Sequence, residues 1–418
     1  MFLKEKIEDM EKKYVLRIYQ LLLAILLINP LFYKFISNTT ILRACELACF
    51  LYAIYCLYKL FVKRKLVIYR GYVKILLVAL MLVSIGIVMR GDWPSTIKDV
   101  LLVVISPTQT LVYILPFIIL FLPNQKYFNE ILHLFYKASL FAFVLWAINV
   151  GDLVQVGTHK GEAIGAFFPF FSAFLLGLLP AFTKRQQCIT ISIWLIFFLL
   201  MLLNARRNVS FSLALYALIA YVVSIISHIK KNPIKYFLIL ICSFIGLIIL
   251  QINLNKLASG TFSNMAHRAS LDTRSGVEEL FFLDFYNSPV EDWIFGRGMD
   301  GGYRQSVVDE ATGEVSEIRN VIETGYLNML LKGGILYIVL VLLLMFYALS
   351  KGFKSKHKEC IYISLILSTY LIDLYTTNPV CAYSVRSIIF WFCISVLLDV
   401  KVQKNAIYLK SFKYYIQK

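Results

Sequence analysis

Charge is scarce in this sequence: Asp, Glu, Lys and Arg make up 16% of its 418 residues, against 59% hydrophobic and 15% aromatic. Soluble globular domains carry about 25% charged residues, so a soluble fold is excluded and the chain reads as a polytopic membrane protein. Histidine is scarce too, at five residues, and there is no HExxH, no GxSxG, no Walker loop and no pair of histidines at ligand spacing. Zinc-peptidase, serine-hydrolase and nucleotide-driven chemistry therefore have no motif to carry them. The eight cysteines lie mostly inside apolar runs without a CxxC pair, which removes a disulfide framework and a thiolate metal site. Cys45, Cys49 and Cys56 fall near one helical face and read as small packing residues.

What is present is a succession of long apolar runs. A hydrocarbon core about 30 Å thick takes about 20 apolar residues per helix, which divides the chain into roughly twelve spans. They are expected near 15–36, 41–62, 71–89, 99–122, 131–150, 164–182, 188–204, 208–228, 235–254, 325–349, 360–378 and 387–400. The first run follows the charged head "MFLKEKIEDMEKK" and lacks a small-residue cleavage pattern, so it is expected to stay as a transmembrane helix rather than leave as a signal.

The formal charge of +17 does not point to nucleic acid, because the basic residues fall in short clusters between apolar runs, where they set topology. Alternate gaps carry them: "KRK" at 63–65, "TKRQQ" at 183–187, "HIKKNPIK" at 228–235, "SKGFKSKHKE" at 350–359 and the tail "KSFKYYIQK". The positive-inside rule makes these gaps and both termini cytoplasmic. The whole chain, 1–418, then forms one transmembrane domain with a single sizeable outer loop, 255–324, between spans 9 and 10. That loop holds six of the 42 basic and twelve of the 25 acidic residues, a formal charge of −6 against +23 for the remainder. Within it "HRASLDTRSGVEELFFLDFYNSP" has apolar residues at helical spacing and "IFGRGMDGGY" supplies glycine-rich turns. Leu280, Phe281, Phe282 and Phe285 are expected to rest that helix on the membrane surface. No internal repeat is apparent, and a loop placed outside and off-centre departs from a transporter of two six-helix halves.

Arg206 and Arg207, in "LNARRNVSFSLALYALIAYVV", fall on the outer side against the usual bias, and Arg386 joins them there. Five of the loop's six basic residues are also arginine: Arg268, Arg274, Arg297, Arg304 and Arg319. A planar guanidinium binds phosphate oxygens bidentately and stays charged beside apolar surface. The alternative is that these arginines hold lipid headgroups or pair with the loop's own carboxylates. Glu46 in the second span, Lys137 in the fifth and Asp373 in the eleventh are intramembrane candidates, with Lys137 able to pair with either carboxylate and interhelical pairing the favoured role. Asp92 and Asp99 read as a solvated helix start.

The run "DWIFGRGMDGGYRQSV", followed by "RNVIETGYLNMLLKGGILYIVLVLLLMFYAL", resembles the O-antigen polymerase and O-antigen ligase family, with its glycine-rich turn, polar patch, leucine-rich helix start and Gly-Gly break two turns into the span. "NARRNVSFSLALYAL" is similar to the family's arginine-rich lip opening a helix on the outer side. The resemblance covers roughly residues 190–350. It implies an all-α, GT-C-like membrane protein of the bacterial inner membrane with its active site on the periplasmic face. The implied activity is polysaccharide polymerisation, for O-antigen or capsule, by inverting glycosyl transfer between undecaprenyl-pyrophosphate-linked repeat units. No metal, nucleotide or other cofactor is implied; membrane lipids and a chain-length regulator are the further partners. Ligases resemble one another in carrying His-Asn where this sequence has Thr324 and Gly325, which favours a polymerase; ligation onto lipid A core and lipid-linked oligosaccharide transport are the alternatives.

On this reading Arg206, Arg207, Arg274 and Arg319 stabilise the departing pyrophosphate, and Glu323 is the candidate base. Asp272 and Asp300 stand behind Glu323. Arg268, Arg297 and Arg304 are additional candidates for pyrophosphate binding.

Overall fold

A computed structural model of the chain describes residues 2–32, 39–106, 109–148, 169–203, 207–229, 275–308, 315–355 and 357–399. The fold is predominantly helical, as the long apolar runs require, since in lipid only intra-segment hydrogen bonds satisfy the backbone. Its helices are α1 (Phe2–Phe32), α2 (Thr39–Val62), α3 (Tyr72–Met89), α4 (Ile97–Ile105), α5 (Thr110–Phe121), α6 (Phe128–Ile148), α7 (Pro169–Leu175), α8 (Lys184–Leu203) and α9 (Arg207–Ile229), then α10 (Ser275–Tyr286), α11 (Val290–Phe295), α12 (Gly325–Lys354), α13 (Lys358–Thr376) and α14 (Val385–Leu398). Among the described residues, α2, α3, α6, α8, α9 and α12 are long and apolar enough to cross a membrane, and α4 with α5 makes a seventh if the pair, bent by 47°, counts as one span. The expected span at 235–254 lies outside the described residues.

Two expected spans depart from a regular helix. The described part of the run 164–182 forms α7 and then a 3-10 turn, Leu176–Ala181, containing Pro180, where the missing amide of proline interrupts the α-helical ladder. Gly177 there lies directly against the Tyr362 ring. The run 387–400 forms α14, every residue of which is buried. At 14 residues it rises about 21 Å and packs against α5, α12 and α13. Neighbouring helices rather than lipid surround it, so it carries hydroxyls: Ser395 accepts from Asn124 at 2.7 Å, and Ser384 with Ser387 forms a capping box at its start.

Among the described residues, contacts gather the helix ends into two sets. At one end Lys12 pairs with Glu130 at 2.8 Å, and the buried Glu11 receives Lys126 at 3.1 Å and Lys65 at 3.5 Å. At the other end meet the close of α3, the break before α5, the start of α12, the close of α13 and the segment 275–322.

That segment is a small folded unit. Helices α10 and α11 are followed by a hairpin, β1 (Tyr303–Val308) paired antiparallel with β2 (Val315–Arg319), Tyr303 standing opposite Arg319. The expected membrane-resting face is corrected here. Phe281 and Phe285 are fully buried with Tyr303, Ile322, Leu330 and Leu331, while Leu280 and Phe282 are exposed. In an α-helix residues four apart share a face, which is why 281 and 285 turn inward together.

The glycine-rich turn fastens this unit to the bundle. Gly334 interrupts α12 with φ +67°, ψ −173°, a conformation open to glycine. The carbonyls freed by the break are taken up by the turn: Arg297 N donates to Leu331 O at 2.7 Å and Gly298 N to Lys332 O at 3.1 Å, while Met299 N reaches Ile87 O of α3 at 3.0 Å. Gly298, at φ +86°, leaves only 2.7 Å between a would-be Cβ and Arg90 O. The helix kink thus has an inserted backbone as its cause.

Candidate functional site

Three constellations occupy this end of the bundle. The first is built on Arg297. Its Nε donates to Asp292 at 3.0 Å, its Nη1 to Asp284 at 2.5 Å and to Gly302 O at 2.6 Å, and its Nη2 to Ser288; the guanidinium also stacks over Phe285 at 4.7 Å. Four of its donors face the loop's own groups, so it ties α10, α11 and the turn together. Beside it, Lys332 of α12 is buried, and its ammonium donates to Met299 O at 2.7 Å and Gly301 O at 3.0 Å. Asp300 accepts from Gln109, which stands just before α5. The reserve carboxylate Asp300 is thereby docked into the break between α4 and α5.

The second constellation lies at the head of α12. Arg319 closes β2, with Nε donating to Val321 O at 3.0 Å and Nη1 to Gln305 at 3.4 Å. Burial pushes the Tyr303 phenol up, against the opposing pull of Arg319 beside it. Glu323 is exposed, four residues along the chain. Thr324 donates to Glu278 of α10 at 2.6 Å, and Gly325 is pressed against the carbonyl oxygen of Thr377, the residue that caps α13. Arg304, on β1, is exposed.

The third constellation is buried and joins three helix ends. Ser212, in the second turn of α9, donates to Asp373 of α13 at 2.8 Å. Arg386, in the first turn of α14, donates to Thr377 at 2.8 Å and lies 3.9 Å from Asp373. Its guanidinium sits 3.8 Å over the Phe170 ring, and its Nη2 has no hydrogen-bond partner among the described residues. A buried arginine nitrogen without an acceptor is costly, and an anionic oxygen is the group that satisfies it best.

Of the sequence-predicted residues, Arg206, Arg268, Arg274 and Asp272 lie outside the described residues. Arg207 is the first residue of α9, five positions before Ser212, or about 7.5 Å along the axis. Arg274 directly precedes α10, the helix whose Glu278 holds Thr324. Arg319 and Glu323 both lie near enough to Tyr303 to act on its phenol, Arg297 is held by the loop's own groups, and Arg304 stands opposite Ile318 in the hairpin.

Glu46 and Asp373 do not turn to Lys137, as the sequence allowed. Glu46 pairs with Arg43 on its own helix at 2.7 Å, Asp373 has Ser212 and Arg386, and Lys137 is exposed. Asp99 bonds to Thr96, the N-cap of α4, which is the helix start expected of it. Sequence reasoning missed Lys332, Ser212 and Thr377; for Lys332 a signal existed, a lysine beside Gly-Gly eight residues into an apolar helix. Among the described residues no group of three or more His, Cys, Asp or Glu is placed to hold a metal ion. Comparison with family models, curated proteins and solved structures returns no match.

Proposed function

We propose that the chain is a polysaccharide polymerase with roughly twelve spans and a GT-C-like architecture, acting at the outer face of a bacterial inner membrane on undecaprenyl-pyrophosphate-linked repeat units. The observation that carries this reading is the convergence of helix ends around Arg386. The helix opened by Arg207, the helix preceded by Glu323, and the Asp373 and Arg386 pair meet at one end of the bundle, with one guanidinium nitrogen buried and without a partner among the described residues. Arg206, Arg274 and Arg319 belong to the segments that lead into it.

The acceptor hydroxyl attacks the anomeric carbon, its proton passes to Glu323, and the bond from that carbon to the pyrophosphate oxygen breaks. The bonding electrons leave with the pyrophosphate, so negative charge grows where the guanidinium groups wait. Fixed cations aimed at such charge need no reorganisation as the reaction proceeds. Arg386 contributes as a buried anchor at the floor, Arg206 and Arg207 from the lip.

Against ligation speaks the head of α12: at position 325 the backbone lies against Thr377 O, leaving no room for the asparagine of the ligases' His-Asn. Against transport speaks the placing of the buried charges, since Asp373 and Arg386 stand at helix ends rather than midway along them. The test is to give purified protein in lipid nanodiscs a defined undecaprenyl-pyrophosphate repeat unit and follow release of undecaprenyl pyrophosphate. Release unchanged by excess EDTA is expected. Absence of release, or loss of it with EDTA and recovery with a divalent metal, counts against the metal-independent mechanism.

A further inference from the structure

Helices α10 and α11 leave a large apolar surface exposed. On α10 it comprises Leu280, Phe282, Leu283 and Tyr286, the last 84% exposed; on α11, Val290 at 67% and Phe295 at 48% with Ile294. Residues 280, 283 and 286 follow one row of the helix. An exposed patch of this kind marks an interaction surface.

Two independent rulers give its depth. The twenty residues of α12 beyond the Gly334 break, 335–354, rise about 30 Å, the thickness of a hydrocarbon core. Gly334 therefore stands at the outer boundary of that core, and Ile294 O with Phe295 N lies directly against it. Secondly, Gly333 is level with Ile87, three residues before Arg90, where α3 ends. Arg90 in turn pairs with Asp292 of α11 at 3.6 Å. Both rulers put α11 at the level where two spans leave the lipid.

The patch also continues into the lipid-facing surface of those spans, through Ile335 on α12 and Met89 on α3, both exposed. Asp284 and Asp292 of the same unit are drawn away from the patch to Arg297, while Glu279 and Glu291 are exposed among the apolar residues, where their carboxylates reach the headgroup level. We propose that α10 and α11 form an interfacial foot, sunk through Leu283, Tyr286, Val290 and Phe295 into the outer leaflet, with phospholipid as its partner. The foot fixes the height of the outer loop relative to the headgroups, because the turn 296–302 that plugs the α12 break follows α11 without a spacer. This inference holds whether or not the chain is a polymerase.

The test uses the full chain carrying p-benzoylphenylalanine in place of Leu283 or, separately, Phe295, reconstituted into phosphatidylethanolamine and phosphatidylglycerol vesicles and irradiated. The same probe replacing Ile85, on the exposed side of α3, serves as the lipid reference, and replacing Glu317, on β2, as the solvent reference. Lipid adducts from 283 and 295 are expected at yields comparable to position 85 and several-fold above position 317. Both positions are on the surface, so neither probe disturbs the core. Adducts at the level of position 317, or adducts to a second copy of the chain in place of lipid, overturn the proposal.

Discussion

Arg297→Ala is expected to release the outer loop from the bundle, at a cost of roughly 3–5 kcal/mol, the scale for removing one member of a buried ion pair. Two carboxylates, Asp284 and Asp292, would lose their shared cation, and both are largely buried in the unit it holds together. Gly302 O and Ser288 lose their donor as well. Arg297→Lys retains the charge but cannot reach Asp292, Asp284 and Ser288 at once, since a single ammonium replaces a fork; most of the loss should persist. Hydrogen exchange across 284–302 is the measurement. Protection in Arg297→Ala equal to that of the parent protein contradicts the role given to this residue. Because the turn also plugs the α12 break, the variant should lose activity through disorder of the loop, with the bundle itself still inserted.

Replacing Arg206 or Arg207 by alanine should abolish long-chain product while leaving membrane insertion unchanged. Removing a preorganised donor from developing negative charge typically lowers turnover by about a hundredfold or more, and chain growth compounds that loss over successive additions. Lysine at either position should restore activity only in part, because the bidentate fork is lost. Polymer of normal length from both single alanine variants removes the pair from the mechanism. These variants differ from Arg297→Ala in one measurable respect: hydrogen exchange in the outer loop should stay as in the parent.

The apolar runs made the helices legible, because hydropathy is a property of composition along the chain. "GRGMDGG" and "KGGIL" were legible as a turn and a break. That the turn fills the break was not, since Arg297 and Leu331 are 34 residues apart and only folding shows their backbones bonded. The same distance in sequence hid the division of labour among the arginines. Arg297 and Arg386 look alike at the outer face, yet one is held by carboxylates 13 and 5 residues before it, and the other retains a buried nitrogen without a partner among the described residues. Phe281 and Phe285 were separable from Leu280 and Phe282 by helical phase alone, but which face turns inward depends on Tyr303 and Leu331 arriving from outside the helix. The short helix α14 followed the same rule: its 14 residues are too few to span unaided, and only the surrounding helices explain it.

The most direct measurement is the number of sugar units added per acceptor when purified protein meets one defined undecaprenyl-pyrophosphate repeat unit. A ladder of products, each rung one repeat longer and each accompanied by one released undecaprenyl pyrophosphate, is the predicted result. A product that stops after a single addition, or substrate that moves across the bilayer with its pyrophosphate bond intact, would contradict polymerisation at this site.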